Sequence, residues 1–266
     1  MLVTLDTLRA DAISLGTKSN FINNYWSGEE AFKTVGLDHV IGNGSYFESC
    51  ISAAPYTTAS HAAYFTGCWP RRNGVFEYFN RRLVLPTIFE YAKKSGFRTV
   101  FQTDFPIILG EHLGFRRGVD DYFIEDEHAA LLKTISQSKR GPTLSFFHFG
   151  GIHYPYGFHK LKFAKDAYPK KVSELESFLH LDGFGDAEDI LDESFRDQKD
   201  RGLLLRYKRI VEELYARKQY DKLHSLYLEG VDYFMRHRFE RFLSSLLKFV
   251  DENDALLVMF ADHGEE

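Results

Sequence analysis

The chain has 266 residues, 44% hydrophobic and 27% charged, the balance of a folded globular protein with room for one large core or two modest ones. Its net charge of -5 argues against broad nucleic-acid binding, which needs clustered cations, and two cysteines exclude a disulfide scaffold. No apolar run reaches the roughly 18 residues of a membrane span.

Twenty-five Phe and fifteen Tyr make the chain unusually aromatic, and such a surplus points to core packing before it points to stacking on sugars or bases. The elements follow from hydrophobic periodicity. Leu2-Val3-Thr4-Leu5 reads as a short strand that ends in Asp6. No secretory signal is visible in the sequence given, which leaves the localisation open and favours a cytoplasmic chain as the expectation, with loss of an upstream segment as the alternative. Leu37 to Ile41 reads as a short helix closed by Gly42-Asn43-Gly44, and Tyr46 to Ser52 as a strand. A proline turn follows, and the hydroxyl-rich Thr57-Thr58-Ala59-Ser60 opens a helix over Ser60–Thr66. Pro86 opens another helix that ends by Gly96. Arg98 to Gln102 is a strand, Ala129 to Ser136 a helix, and Thr143 to Phe149 a buried strand running into Gly150-Gly151-Ile152-His153. Residues 160–221 are charged, mixed in sign and mostly helical, which reads as a helical insertion or cap within a single domain spanning 1–266. Leu223 to Phe249 is a long amphipathic helix that delivers the chain to a final strand, Leu256 to Ala261.

Short apolar runs alternating with helices predict an α/β fold: a mostly parallel central sheet with helices on both faces. In such sheets ligands bind at the carboxyl ends of the strands. Asp6, Thr57, His153 and the pair Asp262-His263 all stand just after predicted strands, so they are expected on one edge. A helix N-terminus favours an anion, and a threonine placed there becomes a nucleophile if its hydroxyl is activated. Asp6, Asp262, His263 and the Thr57 oxygen offer hard oxygens and one imidazole, a set for one divalent metal ion, Mn²⁺ or Zn²⁺ ahead of Ca²⁺ or Mg²⁺. His153 is placed to bind a substrate oxygen or to protonate a leaving group, and His61, one helical turn after Thr57, to face the anion or act as a base. Arg9 is a candidate for binding the ester anion or for pinning Asp11. His148 and His159 read as structural.

Taken in order, these segments resemble the sulfatase-like branch of the alkaline phosphatase superfamily. Leu2 to Asp11 is similar to that family's first strand and metal loop. Thr57-Thr58-Ala59-Ser60-His61 with Thr66-Gly67 resembles its Cys-x-Pro-Ser-Arg…Thr-Gly nucleophile segment, and Cys68-Trp69-Pro70 with Gly74 its Gly-x-Tyr-Pro turn. Gly114-Phe115, Ile152-His153-Tyr154-Pro155 and Ala261-Asp262-His263-Gly264 resemble further family motifs. The chain departs from the pattern at four points: Thr57 replaces the cysteine or serine that becomes formylglycine, His61 replaces an arginine, Thr7 replaces a second aspartate, and His263 replaces an asparagine. Cys68-Trp69-Pro70-Arg71-Arg72 fits Cys-x-Pro-x-Arg, but it falls after the helix.

The resemblance implies an alkaline-phosphatase-like fold and a metal-dependent hydrolase or transferase. With threonine at position 57, the expected substrate is a phosphate ester, cleaved through a covalent Thr57 intermediate. The alternatives are a sulfuric ester hydrolase and a degenerate member that binds or scaffolds. The expected partner is a small-molecule, carbohydrate or lipid phosphate or sulfate ester, with no nucleic acid, and the oligomeric state is left open. Family members continue past the point where this sequence stops, so the resemblance also implies a domain incomplete at its C-terminus.

Overall fold

A computed structural model describes residues 1–13, 35–76, 81–154, 156, 167–181 and 198–265. His159, Pro155, Glu266 and residues 160–166 and 182–197 of the expected insertion lie outside the described residues.

Five parallel strands form one sheet: β1 (Leu2–Leu5), β2 (Arg98–Thr103), β3 (Asp121–Ile124), β4 (Thr143–Phe149) and β5 (Val258–Phe260), in the order β3-β2-β4-β1-β5. Leu2 pairs with Phe146 on one side and Val258 on the other, and Thr103 pairs with His148. The helices are α1 (Val35–Gly42), α2 (Thr57–Thr66), α3 (Pro70–Asn73), α4 (Ile88–Lys94), α5 (Glu127–Ser138), α6 (Ala167–Leu179), α7 (Gln198–Ala216), α8 (Tyr220–Phe234) and α9 (Glu240–Asn253).

Both faces of the sheet are covered, which is why β4 carries buried aromatic residues on both sides, with Thr143, Ser145 and His148 its polar members. Alternating residues divide between two apolar clusters. Phe101 and Phe146 pack with Ala62 and Phe65 of α2 and Phe89 of α4. Val3, Leu5, Phe147 and Phe149 pack with Leu131 of α5, Val231 of α8 and Leu246 of α9. Val172 and Leu175 of α6 and Tyr207 and Ile210 of α7 join that second cluster. The aromatic surplus is therefore largely core. Phe89, Phe101, Phe115, Phe146, Phe147, Phe149, Phe234, Phe239 and Phe242 are fully buried, each contributing about 1.5–3 kcal/mol relative to exposure.

Local chemistry sets several boundaries. Thr87 and Glu90 close a reciprocal capping box at the start of α4. Gly67 ends α2 in the left-handed conformation, at φ 65°. At the end of β4, a Cβ on Gly150 would lie 2.5 Å from the Phe105 ring, and one on Gly151 would lie 2.2 Å from the Phe234 ring. Only glycines let this turn pass between the two rings.

Three expectations change. Tyr46–Ser52 joins no ladder; it is irregular, with Phe47 and Ile51 exposed, and an apolar run without a partner strand cannot pair its backbone. The helix after the proline turn starts at Thr57 rather than Ser60. The long helix over Leu223–Phe249 is interrupted by a π-helical segment, Met235–Phe239, which turns Met235, Arg238 and Phe239 inward.

The sheet order locates the site. The chain leaves β1 towards β2 across the face covered by α2 and α4, and leaves β4 towards β5 across the face covered by α8 and α9. Adjacent strands β4 and β1 thus send their connections to opposite faces. This is a topological switch point, where open α/β sheets form their ligand crevice.

Candidate functional site

Asp6 follows β1 at that switch point and is completely buried. Its backbone N–H donates to the Phe149 carbonyl at 2.9 Å, so the carboxylate is fixed beside the end of β4. Oδ2 accepts from the Thr57 hydroxyl at 3.3 Å and from His148 Nε2 at 3.1 Å. Asp262, two residues past the end of β5, is equally buried, and its Oδ1 accepts from the backbone N–H groups of Thr7 at 3.3 Å and His263 at 2.9 Å.

Thr57 is the first residue of α2, and Tyr56 occupies the cap position without a side-chain cap. The Thr57 hydroxyl is thus not an N-cap; it faces Asp6 and lies 3.2 Å from His263 Nε2. His263 Nδ1 lies 2.7 Å from the Gly264 carbonyl, which can only accept, so Nδ1 carries the proton and Nε2 presents a lone pair. That lone pair looks towards Asp6 Oδ1 at 3.6 Å and Asp262 Oδ2 at 3.5 Å. Metal-bound histidines commonly take this posture, with the distal nitrogen tied to a carbonyl.

His61 is also in the cluster. Its Nδ1 donates to the Thr57 carbonyl at 2.7 Å and lies 3.6 Å from Asp262 Oδ2. Burial, then the nearby His148, pushes its pKa well below the usual histidine range, so it is neutral. His148, read from the sequence as structural, is on β4 as expected, yet its Nε2 reaches Asp6 while Thr103 binds its Nδ1 at 3.3 Å. Only the pairing of β4 with β1 reveals that contact; nothing local in the sequence signals it.

His153 lies in the turn after β4. It is half-buried, with Nδ1 3.0 Å from the Tyr154 carbonyl and its ring edge-on to Phe105. It stands outside the ligating cluster. Arg9 is committed to the loops: Nε and NH2 grip Asp11 at 2.8 and 2.7 Å, and NH1 donates to the Glu265 carbonyl at 2.9 Å. Cys68 stands after the C-terminal end of α2, away from the head of that helix.

Two carboxylates buried this close cannot ionise alike. Burial pushes Asp6 up, but the His148 hydrogen bond and the electrostatic influence of the surrounding His148, His153 and His263 rings outweigh it and hold Asp6 well below the usual range. Burial and the Asp6 charge push Asp262 up to about 7. Asp6 Oδ1 and Asp262 Oδ2 are buried without hydrogen-bond partners, and Asp6, Asp262 and His263 each bring a donor atom within 4.8 Å of the others. Orphaned carboxylate oxygens facing an imidazole lone pair fit a divalent cation, which would satisfy all three.

A parallel sheet with an acid- and imidazole-lined switch point defines the class: an α/β protein built to hold a cation beside a helix N-terminus. A sequence model of the sulfatase family matches residues 1–266, and the chain belongs to that family, a sulfatase-like branch of the alkaline phosphatase superfamily. A search of curated proteins finds no match. Among solved structures, the chain is similar to one described under the metabolism of multiple glycosaminoglycans by Bacteroides thetaiotaomicron, with 16% identity and a TM-score of 0.57. The match covers 99% of this chain and 60% of that one, so the chain spans less than two thirds of its neighbour's length. At that identity the likeness supports the fold.

Proposed function

We propose that this chain carries the nucleophile and metal half of an ester hydrolase that cleaves a sulfate ester. The observation that carries the proposal is the Thr57 hydroxyl, held at the head of α2 between Asp6 Oδ2 at 3.3 Å and His263 Nε2 at 3.2 Å. Family membership favours sulfate over the phosphate expected from Thr57 alone. The ligands would be Asp6, Asp262 and His263, with the Thr57 oxygen beside them. A bound divalent cation supplies charge neutralisation and polarises the ester.

The chain's own residues supply the rest. The free N–H groups at the start of α2 face the incoming anion. The Thr57 hydroxyl donates to the Asp6 carboxylate, so its oxygen is activated as it approaches the ester, while the His263 lone pair is committed to the cation. His148 keeps Asp6 oriented by filling the other hydrogen-bonding position on Oδ2. His153, in the turn after β4, would donate a proton to the departing alcohol.

One observation favours a second reading. Threonine cannot become the formylglycine aldehyde of the resembled sulfatases, and its hydroxyl suits a covalent phosphothreonine. Aryl sulfate, aryl phosphate monoester and aryl phosphate diester, each with Mn²⁺ and with wild type and Thr57→Ala, separate the readings. Sulfate turnover lost in Thr57→Ala supports the proposal, and phosphate turnover lost in that variant supports the second reading. Turnover of none of the three overturns the hydrolase assignment.

A further inference from the structure

Thr7 is strained. It lies between the buried Asp6 and the loop to Arg9, with φ 61°, a left-handed conformation that L-residues with a branched Cβ rarely adopt. Such a residue persists only when its surroundings over-determine it. On one side, the Thr7 N–H donates to Asp262 Oδ1 at 3.3 Å. On the other, the Thr7 carbonyl accepts from the Tyr227 hydroxyl at 2.8 Å. The same hydroxyl accepts the Arg9 N–H at 2.8 Å. Tyr227 comes from α8, on the far side of the chain from β1 in sequence, and it is 3% exposed. One phenol thus satisfies a donor and an acceptor on either side of the turn.

The turn decides where Asp6 sits relative to Asp262. If Thr7 relaxed to an ordinary φ, its N–H would turn away from Asp262, and the loop after β1 would lose its only described hydrogen bond to the carboxylate that follows β5. We propose that Tyr227 is a positioning residue of the metal-capable site: by bridging the Thr7 carbonyl and the Arg9 N–H, it holds the left-handed turn that keeps Asp6 against Asp262 and His263. Arg9 completes the tie, reaching the Glu265 carbonyl just beyond His263. The inference rests on the metal reading of the site given above.

Tyr227→Phe removes the oxygen alone and keeps the ring in its packing against Tyr156. The experiment measures Mn²⁺ affinity by the electron paramagnetic resonance of free Mn²⁺, and amide hydrogen exchange at Thr7 and His263, in wild type, Tyr227→Phe and the double variant Tyr227→Phe/Thr7→Gly. Expected are an affinity about tenfold lower in Tyr227→Phe, as when a partner behind a ligand is removed, and loss of protection at the Thr7 N–H. The double variant recovers part of both, because glycine adopts positive φ without strain. A Tyr227 that merely filled space would gain nothing from glycine at position 7. Wild-type affinity and wild-type Thr7 protection in Tyr227→Phe would overturn the proposal. If wild type itself bound no Mn²⁺, the metal reading would fall, and Thr7 protection with its rescue by glycine would alone decide the role of Tyr227.

Discussion

Arg238 and Asp104 meet in a two-pronged buried contact beneath the carboxyl end of the sheet, NH1 to Oδ2 at 2.7 Å and NH2 to Oδ1 at 3.0 Å. Arg238 lies on the inward side of the π-helical segment and also grips Glu127, the first residue of α5, at 3.2 and 3.1 Å. Asp104 passes the contact on. Its Oδ2 accepts the Gly150 N–H at 2.9 Å, and its Oδ1 accepts from Gln102, whose own oxygen accepts the His148 N–H at 3.0 Å. The charges of Asp104 and Glu127 thus fix the end of β4, and with it the ring that touches Asp6.

Removing the cation should be severe. Arg238→Met leaves two carboxylates buried without their counter-charge, and breaking one partner of a buried pair costs about 3–5 kcal/mol. Glu127→Gln should cost less, because Asp104 still neutralises Arg238. Urea unfolding of the two variants tests the order: equal midpoints for Arg238→Met and wild type would mean that the triad contributes nothing to the fold.

Much of this arrangement was legible in the sequence, and what was not has a common cause. β1 and β4 are rich in apolar residues because both faces of a parallel sheet are covered, and Asp6, Asp262 and His263 could be grouped because they follow β1 and β5, which end on the same edge; Thr57 was joined to them through an expected strand, Tyr46–Ser52, that the sheet does not contain. His148, Tyr227 and Arg238 could not. Each reaches its partner across 134 to 220 residues, and nothing local marks a histidine in a strand or a tyrosine in a helix as a contact of the site. Tyr46–Ser52 misled because apolar alternation was present without a neighbouring strand to pair with. β3, four residues with a half-buried pattern, offered too short a signal.

The raised Asp262 carboxyl sets a pH window. Its pKa rises from 3.8 to about 7 on folding. Between those values the folded chain keeps a proton that the unfolded chain has lost, so this group's contribution falls as pH rises from about 4 to about 7 and is flat above. Asp6, shifted down, works in the opposite direction; its contribution is complete above the ordinary carboxylate range and is lost only in stronger acid. Mn²⁺ competes with the Asp262 proton, so its binding strengthens with pH across the same window. Thermal unfolding at about pH 5.5 and about pH 8, with EDTA and with Mn²⁺, should show the larger Mn²⁺-induced rise in Tm at the higher pH. A rise of equal size at both would contradict the assignment of Asp262 as a ligand.

Two glycines separate strain from collision. Gly67 and Gly118 both have positive φ, 65° and 75°. A Cβ at Gly67 meets nothing within 4 Å, whereas one at Gly118 lies 2.5 Å from the Glu90 backbone nitrogen. Gly67→Ala should therefore cost only the left-handed penalty, about 1–2 kcal/mol. Gly118→Ala should add the cost of displacing the first turn of α4, about 1–3 kcal/mol more. Thermal melts of the two variants measure the difference; an equal loss would mean that α4 shifts freely.

Position 57 can be tested without emptying it. Valine has nearly the shape of threonine but no hydroxyl, while serine keeps the hydroxyl and loses a methyl. Thr57 is 1% exposed, so Thr57→Ala opens space as well as removing oxygen, whereas Thr57→Val changes chemistry alone. In Thr57→Val, Asp6 Oδ2 keeps His148 as donor, and the fold should lose about 1 kcal/mol, the net worth of one hydrogen bond. If the hydroxyl is the attacking group, turnover should fall at least about 10³-fold in Thr57→Val and stay within about tenfold of wild type in Thr57→Ser. If it serves only to shape the metal site, Mn²⁺ affinity and turnover should fall together and by similar factors in Thr57→Val. Measuring both quantities on one preparation distinguishes a nucleophile from a ligand, which loss of activity alone does not.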